Sequence, residues 1–127
     1  MIVVDASAAL SALVNDGPAR QLLGEERLCC PHLVDSELAN GLRRAVQTKQ
    51  FAADAAWAAL DAWRGLAVRR FPVHVLMDRV WQLRDNLTAY DASYVALAES
   101  LECTLVTADA RLSRTTGAQC LITVVPR

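Results

Sequence analysis

At 127 residues the chain suits a single domain spanning 1–127, which at this size buries roughly two-thirds of its extended-chain surface. Although 54% of the residues are apolar, Asp54, Asp61 and Arg64 break up the Ala/Trp-rich segment 51–68, and no run reaches the ~20 apolar residues of a bilayer span, so no membrane segment is expected. A net charge of -1 excludes a protein that binds nucleic acid by bulk electrostatics alone.

From the N-terminus, Met1 to Asp5 reads as a strand with no basic stretch or cleavage site ahead of it, so a secretory signal is not expected and a cytoplasmic location is. Residues 7–14 form a short helix stopped by Asn15-Asp16-Gly17-Pro18, and a second helix covers about 18–24 with Pro18 at its favoured first position. Arg27 to Cys30 is a short strand ended by Pro31. In helix 33–47, Val34, Leu38, Leu42 and Val46 recur every four residues and draw one apolar stripe, with Glu37 at its edge. A helix over about 51–65 carries Trp57, Leu60 and Trp63 and ends near Gly65. Leu66 to Phe71 is a strand stopped by Pro72. Helices at about 75–85 and 90–101 follow, then a strand at 103–107, a short helix at 109–115 and a last strand at 120–125. Strands alternating with helices predict an α/β fold whose mostly parallel sheet is covered on both faces.

The cysteines, Cys29, Cys30, Cys103 and Cys120, fall in or beside apolar strand-like runs and behave as small hydrophobes. No C-x-x-C or Cys/His spacing is present, so zinc is not expected. Of thirteen basic residues only Lys49 is a lysine. Arginine forks match phosphates and carboxylates bidentately, a reading that competes evenly with a compositional bias of the genome.

The acidic residues carry the chemistry. Asp5 closes the first strand and Asp109 follows the run Thr104-Leu105-Val106-Thr107-Ala108, so both carboxylates stand at C-terminal strand ends, the edge where open parallel sheets bind ligands. Asp91 opens the segment Asp91-Ala92-Ser93-Tyr94-Val95-Ala96-Leu97-Ala98, and Glu37 sits early in Val34-Asp35-Ser36-Glu37-Leu38-Ala39-Asn40. Converging carboxylates need a cation. Oxygen donors suit Mg²⁺ or Mn²⁺, which are commonly held by one or two direct carboxylates, with other positions left to water and substrate phosphate. Asp5 and Asp91 are the leading direct ligands and Asp109 is next; Glu37 binds through water or orients the nucleophile. Four acids exceed the direct ligands of one ion, so some act through water or a second ion arrives with substrate. Such an ion activates water and stabilises charge on a phosphodiester under attack.

Each acid also has a purely structural reading. Asp5 before Ala6-Ser7-Ala8 and Asp109 before Ala110-Arg111-Leu112 are good helix N-caps, Asp91 can cap its own helix, and Glu37 can pair with Arg43 or Arg44. For Asp5 or Asp109 alone the cap is the better account; four acids in one ordered pattern favour a site. Asp35, Asp78 and Asp85 read as solvated helix charges, His32 and His74 as loop residues, and Trp57, Trp63 and Trp81 as core or dimer contacts.

Met1-Ile2-Val3-Val4-Asp5-Ala6-Ser7-Ala8, the Glu37 helix, Tyr90-Asp91-Ala92-Ser93-Tyr94-Val95-Ala96-Leu97-Ala98 and Leu105-Val106-Thr107-Ala108-Asp109-Ala110-Arg111-Leu112 resemble the successive motifs of a PIN domain, in particular of the VapC toxins of bacterial toxin-antitoxin pairs. The resemblance spans the whole chain in the right order. It implies a three-layer α/β/α sandwich, Mg²⁺- or Mn²⁺-dependent endoribonuclease activity, a homodimer, and a cognate VapB antitoxin that blocks the site. It carries over Asp5, Glu37, Asp91 and Asp109 as the acidic quartet, with Thr107 as a hydroxyl beside it. Two other classes stay open. A phosphotransfer enzyme would use Asp5 as covalent nucleophile, but the chain lacks a second aspartate two residues on and a lysine near a strand end. An inert RNA- or protein-binding module on the same fold would be marked by a lost acid, and none is lost. Phosphate-cradling glycine motifs and G-x-S-x-G are absent as well.

Overall fold

In the computed structural model, which describes residues 1–127, the chain runs β1 (Ile2–Val4), α1 (Ala6–Val14), α2 (Pro18–Glu25), β2 (Leu28–Pro31), α3 (Val34–Gln47), α4 (Ala53–Arg64), β3 (Val68–Phe71), a 3₁₀ turn (His74–Leu76), α5 (Met77–Gln82), α6 (Ala89–Leu101), β4 (Thr104–Thr107), a second 3₁₀ turn (Ala110–Arg114) and β5 (Ile122–Val124). The five strands make one sheet in the order β3-β2-β1-β4-β5. Every pairing is parallel: Ile2 aligns with Leu28 and Thr104, Leu28 with Val68, and Leu105 with Ile122. A parallel strand covered on both faces has no solvent side to mark with polar residues, and β1 and β2 are accordingly buried at every position.

Handedness then places the helices. The chain steps from β1 to β2 to β3 in one direction, and right-handed crossovers gather α1, α2, α3 and α4 against one another on one face. The step from β3 back past β1 to β4 reverses direction and sets α5 and α6 on the other face, with α6 lying across β1, β2 and β4. The result is the three-layer α/β/α sandwich with a parallel sheet. The same reversal opens a switch point between β1 and β4, and the C-terminal ends of those two strands lead directly into Asp5 and Asp109.

Burial follows the same logic. Helix α6 is buried without a break from Ala92 to Ala98, so it shows no apolar stripe of its own. Helix α3 does: Val34, Leu38 and Leu42 are buried, but the last place in the stripe goes to Ala45 while Val46 is only half-buried. A 3.6-residue turn drifts away from strict four-residue spacing. Each such fully buried aliphatic contributes roughly 1.5–3 kcal/mol relative to exposure.

Several boundaries move. Pro31 does not end β2 but belongs to it, paired with Phe71. At that height β1 no longer pairs with β2, and the ladder continues through the His32 N–H to the Phe71 carbonyl, so the missing proline N–H leaves no acceptor waiting. The strands at 66–71 and 120–125 shorten to Val68–Phe71 and Ile122–Val124, and the helix at 75–85 divides into the 3₁₀ turn and α5. Of the tryptophans only Trp63 is core, at 1% exposed, while Trp57 and Trp81 are 56% and 66% exposed.

Asp35 is partly solvated, its side chain 43% exposed, but it is also ion-paired. Its Oδ2 accepts from Arg70 Nε at 2.6 Å, and its Oδ1 accepts from Arg70 Nη2 at 2.9 Å and from the buried Trp63 Nε1 at 2.8 Å. A buried indole N–H requires such a partner, and the bond ties α3 to α4 while Arg70 ties both to β3. The Arg70 fork holds the Asp35 carboxyl below its ordinary range. Because the folded pKa is depressed, the contribution is fully present above the unfolded value of about 3.9 and is lost as pH falls through the lower folded value. Asp35→Asn should therefore destabilise the protein by about 1 kcal/mol at pH 7, the modest end of the range because the pair is partly in water. In urea melts the gap from the parent should close below about pH 4; a gap that persists in acid would show that packing, not charge, is at stake.

Candidate active site

Asp5 leaves β1 with its backbone N–H bonded to the Val106 carbonyl at 3.1 Å, which pins it beside β4. It is 5% exposed, and a buried carboxylate needs donors. It has three: Oδ1 accepts from the Ala8 amide at 3.0 Å and from Ser7 Oγ at 2.7 Å, and Oδ2 accepts from Thr107 Oγ1. The web extends outward, since the Ala108 amide donates to Ser7 Oγ at 2.9 Å and the Asp109 amide to Thr107 Oγ1 at 3.0 Å. Asp5 is thus both the N-cap of α1 and the centre of a polar network joining β1 to β4. Burial nonetheless outweighs these bonds, and with the nearby charge of Asp109 it lifts the Asp5 carboxyl above its ordinary value.

Three further acids stand round it. Glu37, in the first turn of α3, accepts from Tyr94 Oη at 2.6 Å. Burial raises its carboxyl, reinforced by Asp91 and Asp5 and opposed by that hydrogen bond. Asp91 is the third residue of α6, and it does not cap the helix: Thr88 does, its hydroxyl accepting from the Asp91 amide at 3.1 Å. Burial and the charges of Asp5 and Asp109 push the Asp91 carboxyl up. Asp109 differs. It caps the 3₁₀ turn by accepting from the Arg111 amide, and the Arg111 guanidinium binds it at 3.1 and 2.8 Å. That ion pair draws the Asp109 carboxyl below its usual range.

The structure therefore places Asp5 within electrostatic range of Glu37, Asp91 and Asp109, and Asp91 within range of Glu37 and Asp109, with Thr107 bonded to Asp5. It does not close any three of them on a single point as a ready-made cage. The pairing of Glu37 with Arg43 or Arg44 does not form; Arg43 donates instead to Asn40. Two positioning groups escaped the sequence reading. Ser7 lies two residues past Asp5, where its hydroxyl can turn back to the carboxylate. Tyr94 lies three residues past Asp91, on the same face of α6.

A fold and a site of this kind define a class, and the comparisons agree. The model of the PIN domain matches residues 2–118. The chain belongs to the PIN-domain family, as one of its VapC members. It is 65% identical over 127 residues to ribonuclease VapC9 of Mycobacterium tuberculosis, covering 100% of both chains. It is 44% identical over 128 residues to ribonuclease VapC1 of the same organism, covering 97% of this chain and 96% of that one. A toxin-antitoxin complex from Klebsiella pneumoniae shares the fold, with a TM-score of 0.70, 16% identity and 100% of each chain covered.

The hydroxyl web makes its own prediction. Thr107→Val keeps the shape but leaves Asp5 Oδ2 without its buried donor, so it should destabilise the protein by about 1–3 kcal/mol. Ser7→Ala, in a less buried place, should cost less. Urea midpoints compared for the two variants check the order, and a neutral Thr107→Val would mean that the web does not hold Asp5.

Proposed function

We propose that this chain is the toxin of a type II toxin-antitoxin pair and acts as a divalent-metal-dependent endoribonuclease. The observation that carries the reading is the convergence of Asp5, Glu37, Asp91 and Asp109 at the switch point, three of them with carboxyls raised by burial and by one another's charge. Such a cluster favours added positive charge, and its oxygen donors fit Mg²⁺ or Mn²⁺. Asp5, Asp91 and Asp109 would hold the ion. Mg²⁺ takes few protein ligands and keeps its waters, which suits acids that gather without forming a closed cage. When bound, the ion would supply Lewis acidity and make water a competent nucleophile toward an RNA phosphodiester.

The residues divide the remaining work. Ser7, Ala8 and Thr107 fill three of about four acceptor positions on Asp5, fixing its orientation and leaving one lone pair at Oδ2. Glu37, restrained by Tyr94, orients the attacking water and accepts its proton; a carboxyl raised toward neutral pH is the better base for it. Arg111, 83% exposed, is free to exchange the Asp109 carboxylate for an RNA phosphate, which its fork fits equally well.

RNA incubated with the protein should be cut only when Mg²⁺ or Mn²⁺ is present, and chelation should stop the reaction. Asp91→Asn, which removes one ligand but no cap, should abolish cleavage while leaving metal-free stability unchanged or higher. Saturating Mg²⁺ should stabilise the parent by about 2.7 kcal/mol at a hundredfold excess over Kd, and the variant by less. Metal-independent cleavage, or full activity in Asp91→Asn, would overturn the assignment.

The partners in this reading are a VapB-like antitoxin and a second copy of the chain. The antitoxin is supported by likeness to VapC proteins. The homodimer is supported by Val75, Met77 and Trp81, which are 68%, 50% and 66% exposed at the start of the α5–α6 layer and are large apolar groups that water does not favour. No helix is long and apolar enough to cross a membrane, and cytoplasmic action belongs to the same reading. Expression alone should slow growth, and co-expression of the adjacent small reading frame should restore it. A harmless, monomeric protein without such a partner would remove the toxin reading and leave the nuclease reading standing.

A further inference from the structure

A groove runs away from the acidic cluster between α1 and α3. On α3 it is lined by Glu37, Leu38, Asn40, Gly41 and Arg44, and on α1 by Ala6, Ser7 and Leu10, with a volume of about 220 Å³. Glu37, Asn40, Gly41 and Arg44 are spaced i, i+3, i+4 and i+7, so they share one helix face, beside the buried stripe, whose Leu38 forms part of the groove's wall. Gly41 keeps the two helices close, since a Cβ there would stand 3.3 Å from Leu10 Cδ2. The groove therefore begins at a carboxylate of the cluster and ends at a guanidinium about 10 Å further along the helix axis.

Of its polar groups, Ser7 and Glu37 are engaged with Asp5 and Tyr94, whereas Asn40 and Arg44 keep free donors. Arg43 donates to Asn40 Oδ1 at 3.1 Å, which leaves the Asn40 amide as a donor. Arg20, Arg64, Arg70, Arg79 and Arg111 are each paired with a carboxylate; the Arg44 guanidinium makes neither a salt bridge nor a hydrogen bond. A strand whose scissile phosphate sits among four carboxylates meets repulsion at its neighbouring phosphates, where no cation screens the acids. An unpaired arginine at the far end of a groove opening from Glu37 answers that repulsion.

We propose that this groove is a nucleotide subsite of the nuclease, in which Arg44 binds a phosphate of single-stranded RNA next to the one cleaved and the Asn40 amide donates to an acceptor on the intervening nucleoside. This rests on the endoribonuclease reading. Arg44 then acts in binding rather than in the bond-breaking step, and the split between kinetic constants reports it.

The test uses a labelled mixed-sequence single-stranded RNA with Mg²⁺. Arg44→Gln should raise KM about five- to tenfold with kcat held within about twofold, and Arg44→Lys, which keeps the charge, should recover most of the loss. RNA binding measured in the Asp91→Asn protein against salt should show a slope shallower by about 0.7 when Arg44→Gln is added, as expected for one lost phosphate contact to a single strand. If the parent cuts and binds RNA and Arg44→Gln does so with the same KM and salt slope, Arg44 is a solvated helix charge and the subsite is wrong while the nuclease stands. If Arg44→Gln behaves as the parent toward RNA but escapes inhibition by the co-expressed antitoxin, the groove seats the protein partner and the proposal falls. A parent that neither binds nor cuts RNA overturns both readings.

Discussion

Asp5 carries a carboxylate into a position that is 5% exposed, where an uncompensated charge would cost several kcal/mol. The hydrogen-bond web round it answers that demand, and the web in turn dictates its neighbours. Thr107 must end β4 level with the end of β1, Ser7 must lie in the first turn of α1, and the α1 amides must point back at the strand. The parallel pairing of Val4 with Val106 supplies that level. Sheet register and site geometry are therefore one constraint.

The quartet strains against the same fold. Asp5 feels the charge of Asp109, Glu37 those of Asp91 and Asp5, and Asp91 those of Asp5 and Asp109, each making the ionised form less favourable. Burial lifts the carboxyls of Asp5, Glu37 and Asp91 above their ordinary values, and the Arg111 fork draws that of Asp109 down. In the nuclease reading proposed above, a divalent ion would offset the raised acids and a phosphate would compete for Arg111. Stability and chemistry draw on the same charges with opposite preferences.

The features legible in the sequence were those written in local pattern. Apolar runs closed by Asp5 and Asp109 located two strand ends, the Val34, Leu38 and Leu42 stripe located the inner face of α3, and alternating elements supplied the parallel sandwich. What escaped depends on partners distant in the chain. Asp35 looked like a surface charge because nothing nearby reveals Arg70 in β3 or the indole N–H of Trp63. Pro31 looked like a terminator because the height at which β1 stops pairing with β2 is a property of the sheet. Tyr94 is core, at 1% exposed; only its hydroxyl, meeting a glutamate 57 positions away in the chain, gives it a second role.

The cap reading of Asp5 and Asp109 is compatible with the site proposed above. Asp5 accepts from Ala8 and Asp109 from Arg111 as helix caps do, and both stand just past the C-terminal ends of parallel strands, the edge where such sheets bind ligands. A capping carboxylate is already placed there, so using it asks nothing more of the backbone. Asp91 is the exception that separates the two. Thr88 relieves it of capping, and burial and two neighbouring charges disfavour its ionised form more than Arg111 and its place in the first turn of α6 favour it. In the proposed nuclease a bound cation is what would offset that penalty.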